Sequence, residues 1–198
     1  MFAGVQASTP KYFIRGKGQP TKSKYGIQAG VNMKIPFENE LYFSPAIYYS
    51  QKGFKVTFNE PARPPDSSAL NNDVTVRTVD VVPLFNIDFS FNPSRLFIKF
   101  GPSFEYAVSG IEKFEKINGQ RVDRKMTFSY NDYNRMTVSA IVHLGFETAN
   151  GFIIFGHYAH GLISMNNADF GPKIKQRIVG LSIGKYFRKQ TNVVQVKE

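Results

Sequence analysis

The sequence predicts an all-β protein: an eight-stranded antiparallel up-and-down transmembrane β-barrel with four long extracellular loops and short periplasmic turns. Three observations carry that expectation. The first is a hairpin about Asn92-Pro93-Ser94. Val79, Val81, Pro83, Phe85, Ile87, Phe89 and Phe91 share one face of its first arm, and Leu96, Ile98, Phe100, Pro102, Phe104, Tyr106 and Val108 share one face of its second. Alternation with a period of two marks strands whose faces meet different surroundings. Each arm is more than double the usual five or six residues of a globular strand, and exceeds the roughly nine to eleven that cross a bilayer when tilted.

The second observation is the rhythm of connections. Long polar stretches at residues 9–23, 59–73, 111–131 and 164–173 alternate with short turns near residues 37, 93 and 150. Eight strands, an even number, close an antiparallel barrel with both termini at one end. The third is the sorting of outward aromatics. Tyr25, Tyr49, Tyr106 and Tyr158 fall near the long-loop end, and Phe89, Phe91, Phe146, Phe152 and Phe187 near the turn or terminal end. Two such girdles suit rings seated at the headgroup level of a membrane.

Taken in order, residues 1–8 form a short first strand, followed by a Pro- and Gly-containing stretch with no acid. From Lys24, Tyr25, Ile27, Ala29, Val31, Met33 and Ile35 alternate with Gly26, Gln28, Gly30, Asn32 and Lys34. The third strand sets Leu41, Phe43, Pro45, Ile47 and Tyr49 outward and extends toward Phe58. After the central hairpin, Met136, Val138, Ala140, Val142, Leu144 and Phe146 form the outer face of strand six, and Ala149-Asn150-Gly151 is a hairpin turn signal. Strand seven sets Phe152, Ile154, Gly156 and Tyr158 outward, and strand eight Val179, Leu181 and Ile183. Residues 1–187 make up the barrel domain, and residues 188–198 a C-terminal periplasmic tail. Pro45, Pro83 and Pro102 interrupt strands and mark either bulges or lipid-facing sites without a ladder bond.

Composition narrows the partners. Without cysteine there is no disulfide framework or thiolate metal site. No apolar run is long enough for a membrane helix, so a membrane span has to be β. The first eight residues lack the charged leader and apolar stretch of a secretory signal, as expected of a mature or trimmed chain. A net charge of +10 fits nucleic acid, an anionic lipid surface or an acidic partner. No nucleic-acid-binding motif accompanies it, and the aromatics fit a bilayer better, so nucleic acid is not an expected partner.

The inward polar set is Gln28, Asn32, Lys34, Asp80, Asn86, Asp88, Lys99, Glu105, Arg135, His143, Glu147 and Gln176. These residues could line a pore. Eight strands leave an interior that side chains fill, however, which favours a cross-lumen network of paired charges. Ser139, His143 and Glu147 share a face, but four residues along a strand span roughly 13 Å, too far for one relay. No catalytic, cofactor or metal site is expected. Lys11, Arg15, Lys17, Lys22 and Lys24 could hold lipopolysaccharide phosphates or anionic glycans, against the plainer reading of a solvated loop. Phe114, Ile117, Met126, Phe128 and Tyr130 fit either a docking surface or loop packing onto the rim.

Gly26-Ile-Gln-Ala-Gly-Val-Asn32, Phe43-Ser-Pro-Ala-Ile-Tyr-Tyr-Ser-Gln-Lys-Gly53, Val79-Asp-Val-Val-Pro-Leu84, Phe100-Gly-Pro102, Tyr158-Ala-His-Gly-Leu162 and Leu181-Ser-Ile-Gly-Lys-Tyr-Phe187 together resemble the small outer-membrane β-barrel domain of Bacteroidetes, the group with PorT-like proteins. The resemblance implies an eight-stranded barrel in the outer membrane with no enzymatic activity, in a group some of whose members are linked to protein secretion. The expected function is therefore a structural or accessory one, with the long loops touching envelope proteins. A soluble lipocalin-like ligand-binding barrel and an outer-membrane surface hydrolase are the alternatives.

Overall fold

The computed structural model describes residues 1–38, 40–91 and 94–187, with Ser90 and Phe91 defined by their backbone alone. The expected periplasmic tail, residues 188–198, and the side chain of the girdle residue Phe91 lie outside the described residues. In chain order the strands are β1 (Phe2–Ser8), β2 (Lys11–Ile14), β3 (Lys17–Gly18), β4 (Thr21–Asn32), β5 (Ile35–Glu38), β6 (Leu41–Thr57), β7 (Asn71–Phe91), β8 (Ser94–Glu115), β9 (Arg121–Lys125), β10 (Met136–Glu147), β11 (Phe152–Gly161), β12 (Lys173–Lys175) and β13 (Arg177–Lys185). Eight of them, β1, β4, β6, β7, β8, β10, β11 and β13, form the barrel. Each pairs antiparallel with its neighbours, and β8 with β10 closes the ring.

The register fixes the shape. From Phe89 on β7 a row of directly opposed residues runs through Leu96, Phe146, Ile154, Ile183, Ala3, Ala29 and Tyr49 and returns to β7 at Val79, ten residues away. A ten-residue stagger around eight strands corresponds to a tilt of about 40° and a backbone radius of roughly 8 Å. Every member of that row is apolar. At that tilt the ten residues from Val79 to Phe89 climb about 25 Å, the height of the lipid-facing band of such barrels.

The outer face meets lipid because its exposed residues are large and apolar. Tyr25, Ile27, Ile47, Val81, Phe85, Phe100, Phe104, Leu144, Ile154, Leu181 and Ile183 all face outward and are exposed. Pro45 stands opposite Pro83. Of the two expectations for the strand prolines, the lipid-facing one applies here: the β7–β8 ladder has no pairs between Val81–Phe104 and Phe85–Phe100, where Pro83 and Pro102 face each other. No register shift occurs there, so the prolines remove ladder bonds without a bulge. The irregularity in that hairpin comes instead at Arg77/Thr78, where β8 carries an extra residue and its facing switches.

The long connections differ from the expectation of bare loops. β6 and β7 remain paired up to Thr57–Asn71, β8 runs on to Glu115 and pairs with β9, and β12, β2 and β3 form a separate three-stranded sheet. Here the facing pattern inverts. Phe54, Val56, Val74, Val76 and Phe114 point inward and are buried, while Lys55, Asp73, Thr75 and Lys113 lie on the other face. With Tyr12, Ile14, Ile174, Met126 and Tyr133 they build an apolar core inside the extracellular extension. Water surrounds the strands above the bilayer, so the hydrophobic effect drives the apolar face inward there. Within the bilayer both outside and core are apolar, and the narrow lumen takes the polar groups.

Candidate functional site

The lumen is layered. Just below the extracellular core, Lys52 on β6 donates to Glu105 at 2.7 Å and to Asp80 at 3.3 Å. Glu105 also accepts from Ser139 at 2.6 Å and Thr137 at 3.1 Å. All three charged side chains are about 3 % exposed. Paired charges with further donors are the form in which buried charge is tolerated. Beside them Gln28 donates to Ser182, Gln6 donates to Ser50, and Ser8 donates to Gln176.

Beneath lies an apolar layer of Phe2, Tyr48, Val82, Leu84, Phe97 and Phe155. Its rings meet edge-on, Phe2 with Tyr48 and with Phe155, and it closes the cross-section. At the turn end comes a second charged cluster, in which Lys34 donates to Asp88 at 2.6 Å and to Glu147 at 2.8 Å. Asn86 and Arg95 donate to Asp88 as well. Beside this cluster, Lys99 donates to the Tyr186 hydroxyl at 2.7 Å and lies over the Phe97 ring. Asn32 donates to the same hydroxyl. This end opens into a cavity of about 710 Å³ bordered by Lys34, Tyr42, Arg95 and Tyr186.

Eleven of the twelve residues expected in the lumen lie there, above and below the apolar layer, with His143 stacked on Phe155 within it. Arg135 does not. It is exposed at the rim, its guanidinium 5.0 Å from the Phe128 ring centre and 5.8 Å from that of Tyr106. The β10 alternation begins one residue later, at Met136, so the inward phase does not reach it. Sequence reading missed Lys52, the cation at the centre of the upper cluster. The signal was present, since Lys52 continues the inward phase of Ser44, Ala46, Tyr48 and Ser50.

Ser139, His143 and Glu147 have separate partners. Ser139 serves Glu105, Glu147 binds Lys34, and His143 stacks on Phe155 at 4.9 Å with His157 edge-on at 5.8 Å. Among the described residues no cluster of histidine and carboxylate side chains is suited to a metal.

The five cations of the first connection are split. Lys17 pairs with Glu60, and Lys24 pairs with Asp73 and donates to Thr75 on the outer face. Lys22 is exposed opposite Lys55. Lys11 and Arg15 border a groove with Lys173 and Lys175, of which the sequence places Lys173 at the end of a long connection and singles out neither as an anion ligand. The girdle residues with described side chains, Tyr25, Tyr49, Tyr106, Tyr158, Phe89, Phe146, Phe152 and Phe187, are all exposed on the outer face.

The extracellular cap has its own polar lock. Glu112, 1 % exposed, accepts from Arg124 at 2.7 Å and from Tyr133 at 2.8 Å. Burial, and then the nearby Glu112 charge, push the Tyr133 hydroxyl well above its ordinary pKa, so it stays a donor. In the connection after β6, Asp66 accepts from the Ser68 backbone and hydroxyl and pairs with Lys116 at 3.0 Å. Those donors hold its carboxyl down at about 2. Of the apolar residues of the β8–β10 connection, Phe114 and Met126 are buried in the core and Phe128 packs against it, whereas Ile117 and Tyr130 are exposed.

Comparison with solved structures finds barrels of the same size. Neisserial surface protein A aligns at 12 % identity and TM-score 0.45 over 94 % of this chain and 96 % of that one. The outer membrane enzyme PagL aligns at 13 % and 0.48 over 93 % and 99 %. Ail, the attachment invasion locus protein of Yersinia pestis, aligns at 17 % and 0.39 over 92 % and 97 %. No curated protein sequence matches. The sequence model described as "Outer membrane protein beta-barrel domain" matches residues 3–167. With that match spanning most of a closed eight-stranded barrel, the chain belongs to the outer membrane protein beta-barrel domain family and sits in the outer-membrane bilayer.

Proposed function

We propose that this protein is a closed, non-enzymatic barrel whose extracellular end is a rigid contact surface for another envelope protein, in protein secretion or envelope assembly. The observation that supports this most directly is the apolar core built above the bilayer around Phe54, Val74, Phe114 and Tyr133. A barrel serving only as a membrane plug has no need of strands that continue beyond the lipid. A surface that must keep its shape does, because loops are held only as firmly as the core beneath them. The resemblance to PorT-like proteins favours secretion as the setting.

The contact is centred on Leu70 and Ile117, 43 % and 71 % exposed. Their connections are tied together by backbone hydrogen bonds from Leu70 to Glu115 and from Ile117 to Ser68. Exposed apolar side chains on a fixed backbone are the usual anchors of a protein contact. A photo-crosslinking residue at position 117, introduced in cells, is expected to give one discrete adduct that Leu70→Asp abolishes while the barrel keeps its heat-modifiable gel mobility. A smear unchanged by Leu70→Asp would reject the surface. The closed lumen predicts no steady conductance in planar bilayers, and the non-enzymatic reading predicts no acyl release from membrane lipids.

A further inference from the structure

Above the lipid-facing band, one sector of the outer wall carries a concentration of positive charge. The β13–β1 ladder continues through paired backbone hydrogen bonds between Thr9 and Arg177 into β12–β2, where Lys175 opposes Lys11 and Lys173 opposes Phe13. Tyr12, Ile14 and Ile174 of these strands point into the core. Lys11, Phe13, Lys173 and Lys175 therefore face outward, on the same side as Val179 and Tyr158. With Arg15 and His160 they line a groove of about 940 Å³. None of these cations forms a salt bridge among the described residues, unlike Lys17 and Lys24 nearby.

Backbone conformation points to the same groove. Among the described residues two non-glycine residues have positive φ, Arg15 at 46° and Phe170 at 56°, and both border it. Arg15 shares the two-residue β2–β3 turn with Gly16 at φ 82°, a geometry for which asparagine or glycine is the easier residue at the first position. Phe170 is fully exposed. Left-handed conformations are unfavourable for large side chains, and here they belong to a cation and an aromatic ring that border one cleft.

Depth identifies the occupant. Lys175 and Lys173 lie four and six residues beyond Val179, roughly 10–15 Å above the Tyr158–Val179 row at the strand tilt. Lysine side chains reach several ångströms down from there. That is the level of the phosphorylated sugars of the outer leaflet, where an exposed Phe170 ring would enter the interface. We infer that this groove binds the phosphate groups of an outer-leaflet glycolipid, with Lys11, Lys173, Lys175 and Arg15 as anion ligands and Phe13 and Phe170 against its sugar or upper acyl chains. The site is on the side wall, apart from the protein contact proposed at the tip, and its test does not depend on that contact.

The test uses the full-length barrel in detergent, with diphosphoryl lipid A as probe. The triple variant Lys11→Gln, Lys173→Gln, Lys175→Gln is compared with Lys22→Gln, Lys113→Gln, Lys125→Gln, which removes the same charge from other faces. The groove variant is expected to bind lipid A about tenfold or more weakly, from three exposed charge contacts. The control variant is expected to bind as the parent does, and the parent's affinity to fall with salt. Lys→Arg at the same three positions should restore binding, which separates lost charge from lost fold. Equal weakening in both triples would overturn the site, as would binding indifferent to salt. Inorganic pyrophosphate competing as well as lipid A would assign the groove to a soluble phosphate and overturn the lipid assignment.

Discussion

Replacing Lys52 with methionine tests what holds the lumen together. The substitution keeps the side chain's length and removes its charge, leaving Asp80 and Glu105 facing each other across the space the ammonium filled. Glu105 would keep its Ser139 and Thr137 hydroxyl donors, while Asp80, whose Oδ1 has no hydrogen-bond partner and whose Oδ2 accepts from Lys52, would lose its cation. Breaking a buried pair from one side costs about 3–5 kcal/mol, and the second stranded carboxylate places Lys52→Met at the top of that range. Asp80→Asn is the contrasting case. It gives up the longer contact and leaves a neutral Lys52–Glu105 pair, at a cost of about 1 kcal/mol or less. Glu105→Gln falls between, at about 1–2 kcal/mol, because it weakens the 2.7 Å bond but can still accept from the hydroxyls. Urea titration of the barrel in lipid vesicles, read by the gel mobility of folded and unfolded forms, measures the order. Lys52→Met no less stable than Asp80→Asn would refute the claim that paired charge, and not hydrophobic packing alone, holds the upper lumen.

Two further perturbations address other layers. Gly145 faces inward, and a Cβ there would lie 2.5 Å from both Phe155 and Phe97, so Gly145→Ala should overpack the apolar layer and cost about 1–3 kcal/mol in the same titration; full stability would show that layer to be loosely filled. Asp66→Asn should loosen the connection after β6 by removing the Ser68 and Lys116 contacts, seen as faster proteolysis near residues 61–68 with the barrel intact. The Asp66 carboxyl is depressed in the folded state to about 2, so its contribution is full above the ordinary carboxylate pKa and is lost as pH falls through about 2. The parent and Asp66→Asn should differ at neutral pH and converge in strong acid, and a difference that grows on acidification would contradict the assignment.

The parts of this barrel legible in sequence are those where the bilayer imposes one rule. Between Val79 and Phe89 lipid rewards every second residue for being apolar, so strand identity, facing and both girdles follow from a single alternation. The lumen shows less clearly, because Val82 and Leu84 break the polar inner face of β7 between Asp80 and Asn86. Which inward groups meet depends on stagger: Lys34 reaches Glu147, 113 positions away, only after the strands have wound around the ring. Lys173 and Lys175 gave no signal as partners of Lys11, since their juxtaposition exists only once the first and last strands have paired.

The extracellular extension escaped sequence reading because the rule reverses there. Along β7 the same inward phase holds Val74 and Val76, then Thr78 and Asp80; the outward phase holds Asp73, Thr75 and Arg77, then Val79 and Val81. A scan for outward apolar residues stops at Val79 and assigns residues up to 73 to loop, though β7 begins at Asn71 and continues without a break. The inversion marks the change of solvent. Below it the outside is the greasier surface and the inside must pair its charges; above it water claims the outside and the inside can close with Phe54, Val74 and Tyr133. The crossover on β7, between Arg77 and Val79, coincides with the bulge in the β7–β8 ladder at Arg77/Thr78. There an extra residue on β8 lets Glu105 and Ala107 face inward below and Gly110, Glu112 and Phe114 face inward above. A bulge costs ladder bonds. Its position at the solvent boundary lets β8 change phase where its surroundings change, so that one strand serves a membrane barrel and a water-exposed cap in turn.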